Sequence, residues 1–318
     1  MNSKPSIGVV VITHNAKKHL PRCLPPFLES PLNPRVLVVN SSSADGTVET
    51  AQELGAETLV IPRQNFNHGS TRETARKHLH TDIIVMVTPD AYAADNHVLE
   101  QLVTPILHSK TAISYARQIP HDGADFFESF PRTFNYPAEN HVRGIEDAGK
   151  YGIYTFFCSN SCAAYSNHAL DEIGGFESVL IGEDTVAVAK LLRKGHKIAY
   201  VADAVVKHSH RYSLLQEFQR HFDTGLARKD YRYLISLGGS DTTRGTKYVR
   251  EMTKYLLRKK PHLLPYAFTQ TLVKWLGYKI GCHSAKAPVR LKKAFSGQDF
   301  YWASKDFLKK KQGEKPEK

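Results

Sequence analysis

Cysteine is scarce in this sequence, with four in 318 residues, at positions 23, 158, 162 and 282. Only Cys158 and Cys162 stand close together, and no second pair completes a zinc site, so reduced, buried thiols are expected. The opening MNSKPSIGVV lacks a basic region followed by an apolar run and a small-residue cleavage site, so no secretory signal is read and a cytosolic start is expected. No clean run of about 20 apolar residues exists, because Lys274 and two prolines interrupt the apolar stretch 255–281, which argues against a spanning helix. No G-x-G-x-x-G follows the first apolar run and no G-x-x-x-x-G-K-[ST] occurs anywhere, which sets aside dinucleotide redox enzymes and P-loop ATPases. The paired acids Asp-x-Asp are also missing after IIVMV. Thr88 stands where the first would be, leaving Asp90 as a lone carboxylate.

What is present is a chain that can bury a substantial core, with 41% apolar and 23% charged residues. Its formal charge of +12 is uneven. From Arg244 onward there are 19 Lys+Arg against 5 Asp+Glu, which leaves 24 against 26 for residues 1–243. The basic part mixes its charges with Tyr266, Trp275, Tyr278 and leucines, a composition that suits helices lying on an anionic membrane surface. A solvated basic appendage or a nucleic-acid contact is the other reading. The final KKKQGEKPEK reads as a disordered tail.

Short β-rich runs at 7–12, 35–40, 57–62 and 83–88 alternate with helical stretches at 47–55 and 70–80. The second of these opens with Ser70 and Glu73 at capping-box spacing. Strands separated by helices predict right-handed crossovers and a mostly parallel sheet, with ligands beyond the carboxyl ends of its strands. Three loops then share one rim: THNA (13–16), NSSSADGT (40–47) and TPDA (88–91). The second offers hydroxyls, an acid and a helix start, all able to grip a nucleotide, although such clusters are also ordinary turns.

Further on, FFCSNSCAAY (156–165) reads as a strand. In GED, Glu183 and Asp184 open an amphipathic helix, and IAYVADAVVKHSH reads as two strand-like pieces that place His208 and His210 on one face. Acids at a helix start beside two histidines and Arg211 make a catalytic edge; caps and a wet strand end are the plainer account.

Together VVVITHN, VLVVNSSSADGT, IPRQNFNHGSTRETA, MVTPDA, SNSCAAY, GGFESVLIGEDTVAVAKLLRKGHKIAYVADAVVKHSH and YSLLQEFQRHFDTG resemble the family 2 glycosyltransferases, and within them the bacterial rhamnosyltransferase-like branch that builds surface polysaccharide such as O-antigen. The motifs span most of residues 5–235, and YLLRKKPHLLPYAFTQTLVKWLGYKIG resembles the helical extension of that branch. The resemblance implies an α/β fold of the glycosyltransferase A type, a Rossmann-like mostly parallel sheet flanked by helices, over residues 1–240. A basic amphipathic helical extension (241–311) and a disordered tail (312–318) follow. It also implies an inverting single displacement from a nucleotide-sugar donor, dTDP-L-rhamnose being favoured over a UDP- or GDP-sugar. The acceptor would be a lipid-linked glycan at the cytoplasmic face of the plasma membrane, with the enzyme peripheral on the anionic surface and no nucleic acid bound.

By resemblance, Thr13, Asn15, Asn40, Ser41 and Asp45 line the nucleotide pocket, Asn40 standing where an aspartate is common. His68 and Arg72 lie near the ribose or diphosphate, and Thr88, Asn160 and Arg211 also belong to the donor site. Asp90, with His208 or His210, holds a divalent cation, Mg2+ or Mn2+, against the diphosphate, because leaving-group departure builds negative charge there. Asp184 is the base that takes the acceptor proton, with Glu183 beside it in support. A helix N-terminus would lower the Asp184 pKa and burial would raise it. Two rivals differ in class. A nucleotidyltransferase would need a Gly-rich, basic phosphate loop after the first strand, where this chain has Thr13-His14-Asn15. A non-catalytic polyanion-binding protein would use the basic tail alone.

Overall fold

Strand β1 (Ile7–Thr13) is buried along its whole length. Its neighbours explain why: β2 (Arg35–Asn40) and β4 (Ile83–Val87) pair with it in parallel on either side, and β3 (Glu57–Val60) adds beyond β2. A strand covered on both faces needs no polar alternation, and IGVVVIT has none. The computed structural model describes residues 4–312. Within them β8 (Cys162–Ser166) runs antiparallel between β4 and β6 (Ile113–Ile119), and β9 (Ile198–Lys207) lies parallel to β6. The short β5 (Tyr92–Ala93) and β7 (His141–Arg143) pair antiparallel with β9 and complete a nine-stranded sheet. Strands β1, β2, β3, β4, β6 and β9 all point the same way. The chain steps from β1 to β2 on one side and later to β4 on the other, so the crevice at the ends of β1 and β4 is a topological switch point.

Alternate residues of each strand feed two cores. Val10, Ile12, Leu37 and Met86 pack on one side, and Val9, Val11, Val38 and Val85 on the other. The first core reaches beyond the sheet to Phe222, Leu226, Tyr301 and Trp302 of the C-terminal helices. Those helices are Leu214–Ile235, Asp241–Lys259 and Leu264–His283, then the short Val289–Phe295, Asp299–Ala303 and Lys305–Gln312. Pro261 lies in the break between the second and third, and Pro265 in the first turn of the third. Lys309 to Gln312, read as the start of a tail, continue a helix, and 313–318 lie outside the described residues.

Three local expectations change. The helix expected at 70 runs His68–Leu79, and its cap is Asn67, whose side chain accepts from the Gly69 and Ser70 N–H groups. Ser70 therefore lies inside the first turn, and Glu73 instead holds Arg76 and the Phe176 N–H. The strand expected from 156 begins only at Cys162, because Ser159 and Asn160 spend their polar groups on side chains across the rim rather than on a ladder. The two pieces expected at 198–210 are one strand, with a register shift opposite Ala116/Arg117, and both histidines lie past its end. Of the cysteines, 23, 158 and 162 are buried and unbonded, while Cys282 is only half-buried.

Candidate active site

The register of the sheet builds the first half of the site. β5 pairs Tyr92 with Lys207, so the turn before it, Thr88–Ala91, lies beside the residues that follow β9. Asp90 is thereby brought against both histidines, its Oδ1 3.5 Å from His208 Nε2 and its Oδ2 3.5 Å from His210 Nδ1. The His208 backbone N–H is tied to Ile119 O at 2.8 Å, and its ring Nδ1 lies 2.9 Å from Gln118 Oε1. Gln118 in turn donates from Nε2 to Ser159 Oγ at 2.8 Å, which fixes its carbonyl oxygen as the acceptor toward His208. The His208 proton is therefore on Nδ1, and the Nε2 lone pair faces a carboxylate oxygen.

Charge follows from burial. Desolvation raises the Asp90 pKa, but His208 and His210, which are charged in the acid range where the carboxyl titrates, together outweigh it and hold the carboxyl well below its ordinary range. Desolvation lowers both imidazoles, His210 to about 3, with His208 adding to the effect on His210. At neutral pH the trio thus offers one carboxylate and two uncharged imidazoles, with ligand atoms within 4.8 Å of one another. Two acceptors facing each other need a cation between them, and two imidazoles with one carboxylate make a mixed nitrogen and oxygen donor set able to hold a divalent cation. These residues fit the metal that the sequence suggested.

The second half is the acid pair. Gly69 lets the start of the His68–Leu79 helix press on the loop ahead of GED: a Cβ there would lie 1.8 Å from Glu177 O. Asn67 Nδ2 also donates to Val179 O at 2.9 Å. So placed, Arg72 NH1 meets Glu183 Oε1 at 2.8 Å with both side chains buried, and donates to His68 O at 3.0 Å. Asn160 Nδ2 donates to the same Glu183 oxygen at 3.0 Å. Burial raises the Glu183 pKa, but the charges of Arg72 and His68 and the Asn160 hydrogen bond together outweigh it and keep the group below its ordinary value. Asp184 has no such cation. Burial, then the Glu183 charge, push it up to about 6, against the Thr185 N–H bond at 2.7 Å that lowers it. In the balance left open by the sequence, burial wins. One acid is locked and the other is free to titrate.

Ser159, Asn160 and Ser161 join the halves. Ser159 touches Gln118, Asn160 holds Glu183 and donates its backbone N–H to Asp184 Oδ2 at 3.4 Å, and Ser161 O accepts from the Thr88 N–H at 3.2 Å.

On the far side of the switch point the nucleotide candidates hold one another. Asn40 Nδ2 donates to Thr13 Oγ1 (3.2 Å) and Ser43 Oγ (2.7 Å), and its Oδ1 accepts from the Ser43 N–H at 2.8 Å, so this amide shapes the loop. Ser41 Oγ donates to Thr13 O at 3.1 Å and accepts from Arg63 at 3.0 Å. Asn15, at φ +50°, and Asp45 share an open groove with Lys17 and Lys18. Asp45 also accepts from the Lys17 N–H at 3.1 Å and from Thr47. His68 lies edge-on to Phe66 and Phe300, and burial lowers its pKa to about 4. Arg72, expected near the diphosphate, is occupied by Glu183. Arg211 is exposed and lines the Asp90 cleft, 4.0 Å from Asp125.

The lining of the same cleft, of about 500 Å³, includes His19, Arg22, Tyr92 and His121, which the sequence reading missed. His19 Nδ1 lies 2.6 Å from the Tyr92 hydroxyl, and the Arg22 guanidinium sits 4.3 Å above the Tyr92 ring. Gln118 was missed too. Its place near the carboxyl end of a strand on the ligand rim was the available signal.

Residues 8–174 match the family model described as Glycosyl transferase family 2. The chain is 35% identical over 300 residues to the O-antigen chain rhamnosyltransferase RfbN of Salmonella typhimurium, covering 93% of this chain and 96% of that protein. It is 33% identical to the O-antigen chain rhamnosyltransferase WbaN of Salmonella anatum, over 94% of this chain and 96% of that one. Among solved structures, the mannosyltransferase PcManGT of Pyrobaculum calidifontis, in complex with GDP-Man and Mn2+, superposes with a TM-score of 0.55 at 14% identity. That match covers 98% of this chain and 89% of PcManGT, a likeness of fold.

Proposed function

The chain belongs to glycosyl transferase family 2 and has the glycosyltransferase A-type fold, and from that premise we propose that it moves L-rhamnose from dTDP-L-rhamnose to a hydroxyl of a lipid-linked glycan, with inversion, in O-antigen assembly. Membership makes it a nucleotide-sugar-dependent enzyme, which sets the non-catalytic reading aside. Rhamnose is favoured by two relatives aligned over nearly their whole lengths and named as O-antigen rhamnosyltransferases. In this reading residues 1–240 carry the chemistry and 241–311 hold the enzyme at the cytoplasmic membrane face.

The observation that carries the mechanism is the unequal treatment of two adjacent acids, Glu183 neutralised by Arg72 and Asp184 raised to about 6. Asp184 takes the proton of the acceptor hydroxyl as that oxygen bonds to the anomeric carbon. The bond from that carbon to the diphosphate breaks on the opposite face, and the sugar inverts. Asp90, His208 and His210 would hold a divalent cation, as PcManGT is seen with Mn2+; when bound, it supplies charge stabilisation to the departing diphosphate. Arg22 and Arg211 line the same cleft and add positive charge at its mouth. Thr13, Asn15, Ser41 and Asp45 form the wall on which the nucleoside rests.

The test is release of dTDP from dTDP-L-rhamnose by the full chain with a lipid-linked acceptor, with and without EDTA. Asp184→Asn is expected to lower transfer by about 10²–10⁴ while the donor still raises the melting temperature. Normal turnover in that variant would overturn the base assignment, and undiminished activity in EDTA the metal. Stabilisation only by UDP- or GDP-sugars would overturn the donor.

A further inference from the structure

The Leu264–His283 helix presents two unlike faces. One carries Ala267, Gln270, Gly277 and Gly281 and is buried against the Leu214–Ile235 helix. The approach is backbone to backbone: a Cβ on Gly277 would lie 2.4 Å from Phe218 O, and one on Gly281 would lie 2.1 Å from Phe222 O. Gln270 and Lys274 fix the rotation by reaching Glu217 at 3.1 Å and 3.0 Å. With that face committed, Phe268, Leu272, Trp275 and Leu276 point to the outside; Phe268 is 72% and Trp275 54% exposed. These positions recur at helical spacing, so they form one stripe on the opposite side.

We propose that this outward stripe is a membrane-docking surface that inserts into the headgroup region of an anionic lipid leaflet, an inference that rests on the lipid-linked acceptor read above and specifies how the enzyme reaches it. Charge names the occupant. Between Glu251 and Asp299 the chain has ten Lys+Arg and not one acid. Arg258, Lys259, Lys260, Lys279, Lys286 and Arg290 are all exposed. A second copy of the chain on the stripe would set this basic surface against its own like charge, whereas anionic headgroups neutralise it. Among the described residues no helix is long and apolar enough to cross a membrane, so the stripe lies in the interface rather than spanning it.

The Leu264–His283 helix and the helix before it also contact an element that leads to the cleft. Tyr266 packs against Phe127 with ring centroids 4.8 Å apart, and Tyr255 stacks on Phe126 at 5.3 Å. The helix carrying those phenylalanines, Phe126–Asn135, is capped by Asp125, which lies beside Arg211 at the cleft mouth. These contacts tie the docking helix to the mouth of the cleft that holds Asp90, where a lipid-borne acceptor has to present its sugar.

The chain has two tryptophans, and Trp302 is buried out of reach of lipid, so a lipid-dependent change in fluorescence reports Trp275. With vesicles of phosphatidylglycerol the full-length protein is expected to show a blue shift and quenching by brominated lipid, both much weaker with phosphatidylcholine alone. Phe268→Asp/Trp275→Asp should lower sedimentation with phosphatidylglycerol vesicles by about tenfold or more, while dTDP release with a water-soluble acceptor analogue stays at the wild-type level. Equal vesicle binding by that variant, or a blue shift that appears without lipid as protein concentration rises, would overturn the proposal, the latter in favour of a dimer. Vesicle binding by a wild type that transfers no rhamnose would leave the docking surface standing and remove the activity instead.

Discussion

In the proposed mechanism, stability and catalysis pull against each other at Asp184. A carboxyl raised from 3.8 to about 6 favours the fold fully below pH 3.8, and that contribution is lost as pH rises through 6. At pH 7 the ionised acid is therefore a strain on the fold, and Asp184→Asn, which keeps a carbonyl for the Thr185 N–H, should raise stability by roughly 1–3 kcal/mol. That gain, read from urea unfolding, should shrink toward pH 4. The same group must be ionised to accept a proton, so kcat/KM of the wild type should fall below about pH 6, and the variant should lose about 10²–10⁴ in turnover. Arg72 makes the converse case. Arg72→Ala leaves Glu183 buried without its cation and should cost about 3–5 kcal/mol, whereas Arg72→Met/Glu183→Gln should cost much less; a thermal melt of both variants checks this. The acid pair was legible in the sequence because GED at a helix start is local. That Glu183 is held by Arg72 and Asn160, far away in sequence, was not, because such pairings depend on how the sheet brings its loops together.

The elements tell the same story. Strands β1 to β4 could be placed from the sequence almost to the residue, since buried parallel strands are short apolar runs between turn residues. The segment 156–161 could not, because its polar residues answer to Gln118, Glu183 and Asp184 and not to a neighbouring strand. Nor could the true cap at Asn67, whose reach to Val179 ties the His68–Leu79 helix to the loop before GED. That junction has no room to spare. Gly69→Ala would drive a methyl group into Glu177 O and should destabilise by about 1–3 kcal/mol or more. Because the displaced loop carries Glu183 and Asp184, turnover should fall further than donor binding; the lowered urea midpoint and the kcat-to-KM split together are the measurement.

On the scale of the whole chain, the C-terminal helices are part of the body. Tyr301 and Trp302 share a core with Val10, Leu37 and Met86, and Phe295 packs on Phe218 and Phe222. Composition set the basic segment apart from the near-neutral remainder, but the glycines that seat it against the Leu214–Ile235 helix give no signal until both helices are in place. The two parts should therefore unfold together: near-ultraviolet circular dichroism, Trp302 fluorescence and far-ultraviolet circular dichroism should give one coincident transition. Removal of residues 261–318 should uncover Phe218 and Phe222 and send the protein into aggregates, seen by light scattering. Two resolved transitions for the intact chain would contradict this.

The sheet also has a front and a back, which matters to anyone attaching something to it. Ile7 opens β1 at the edge away from the catalytic rim, with Ser6 held there by Asp82. Phe300, by contrast, lies against His68 on the rim itself. A purification tag or fluorescent fusion carried ahead of β1 starts a strand's length away from the chemistry, about 20 Å, whereas one carried after the Lys305–Gln312 helix follows an element that begins five residues after Phe300. Assays of this enzyme are best built from the front of the gene.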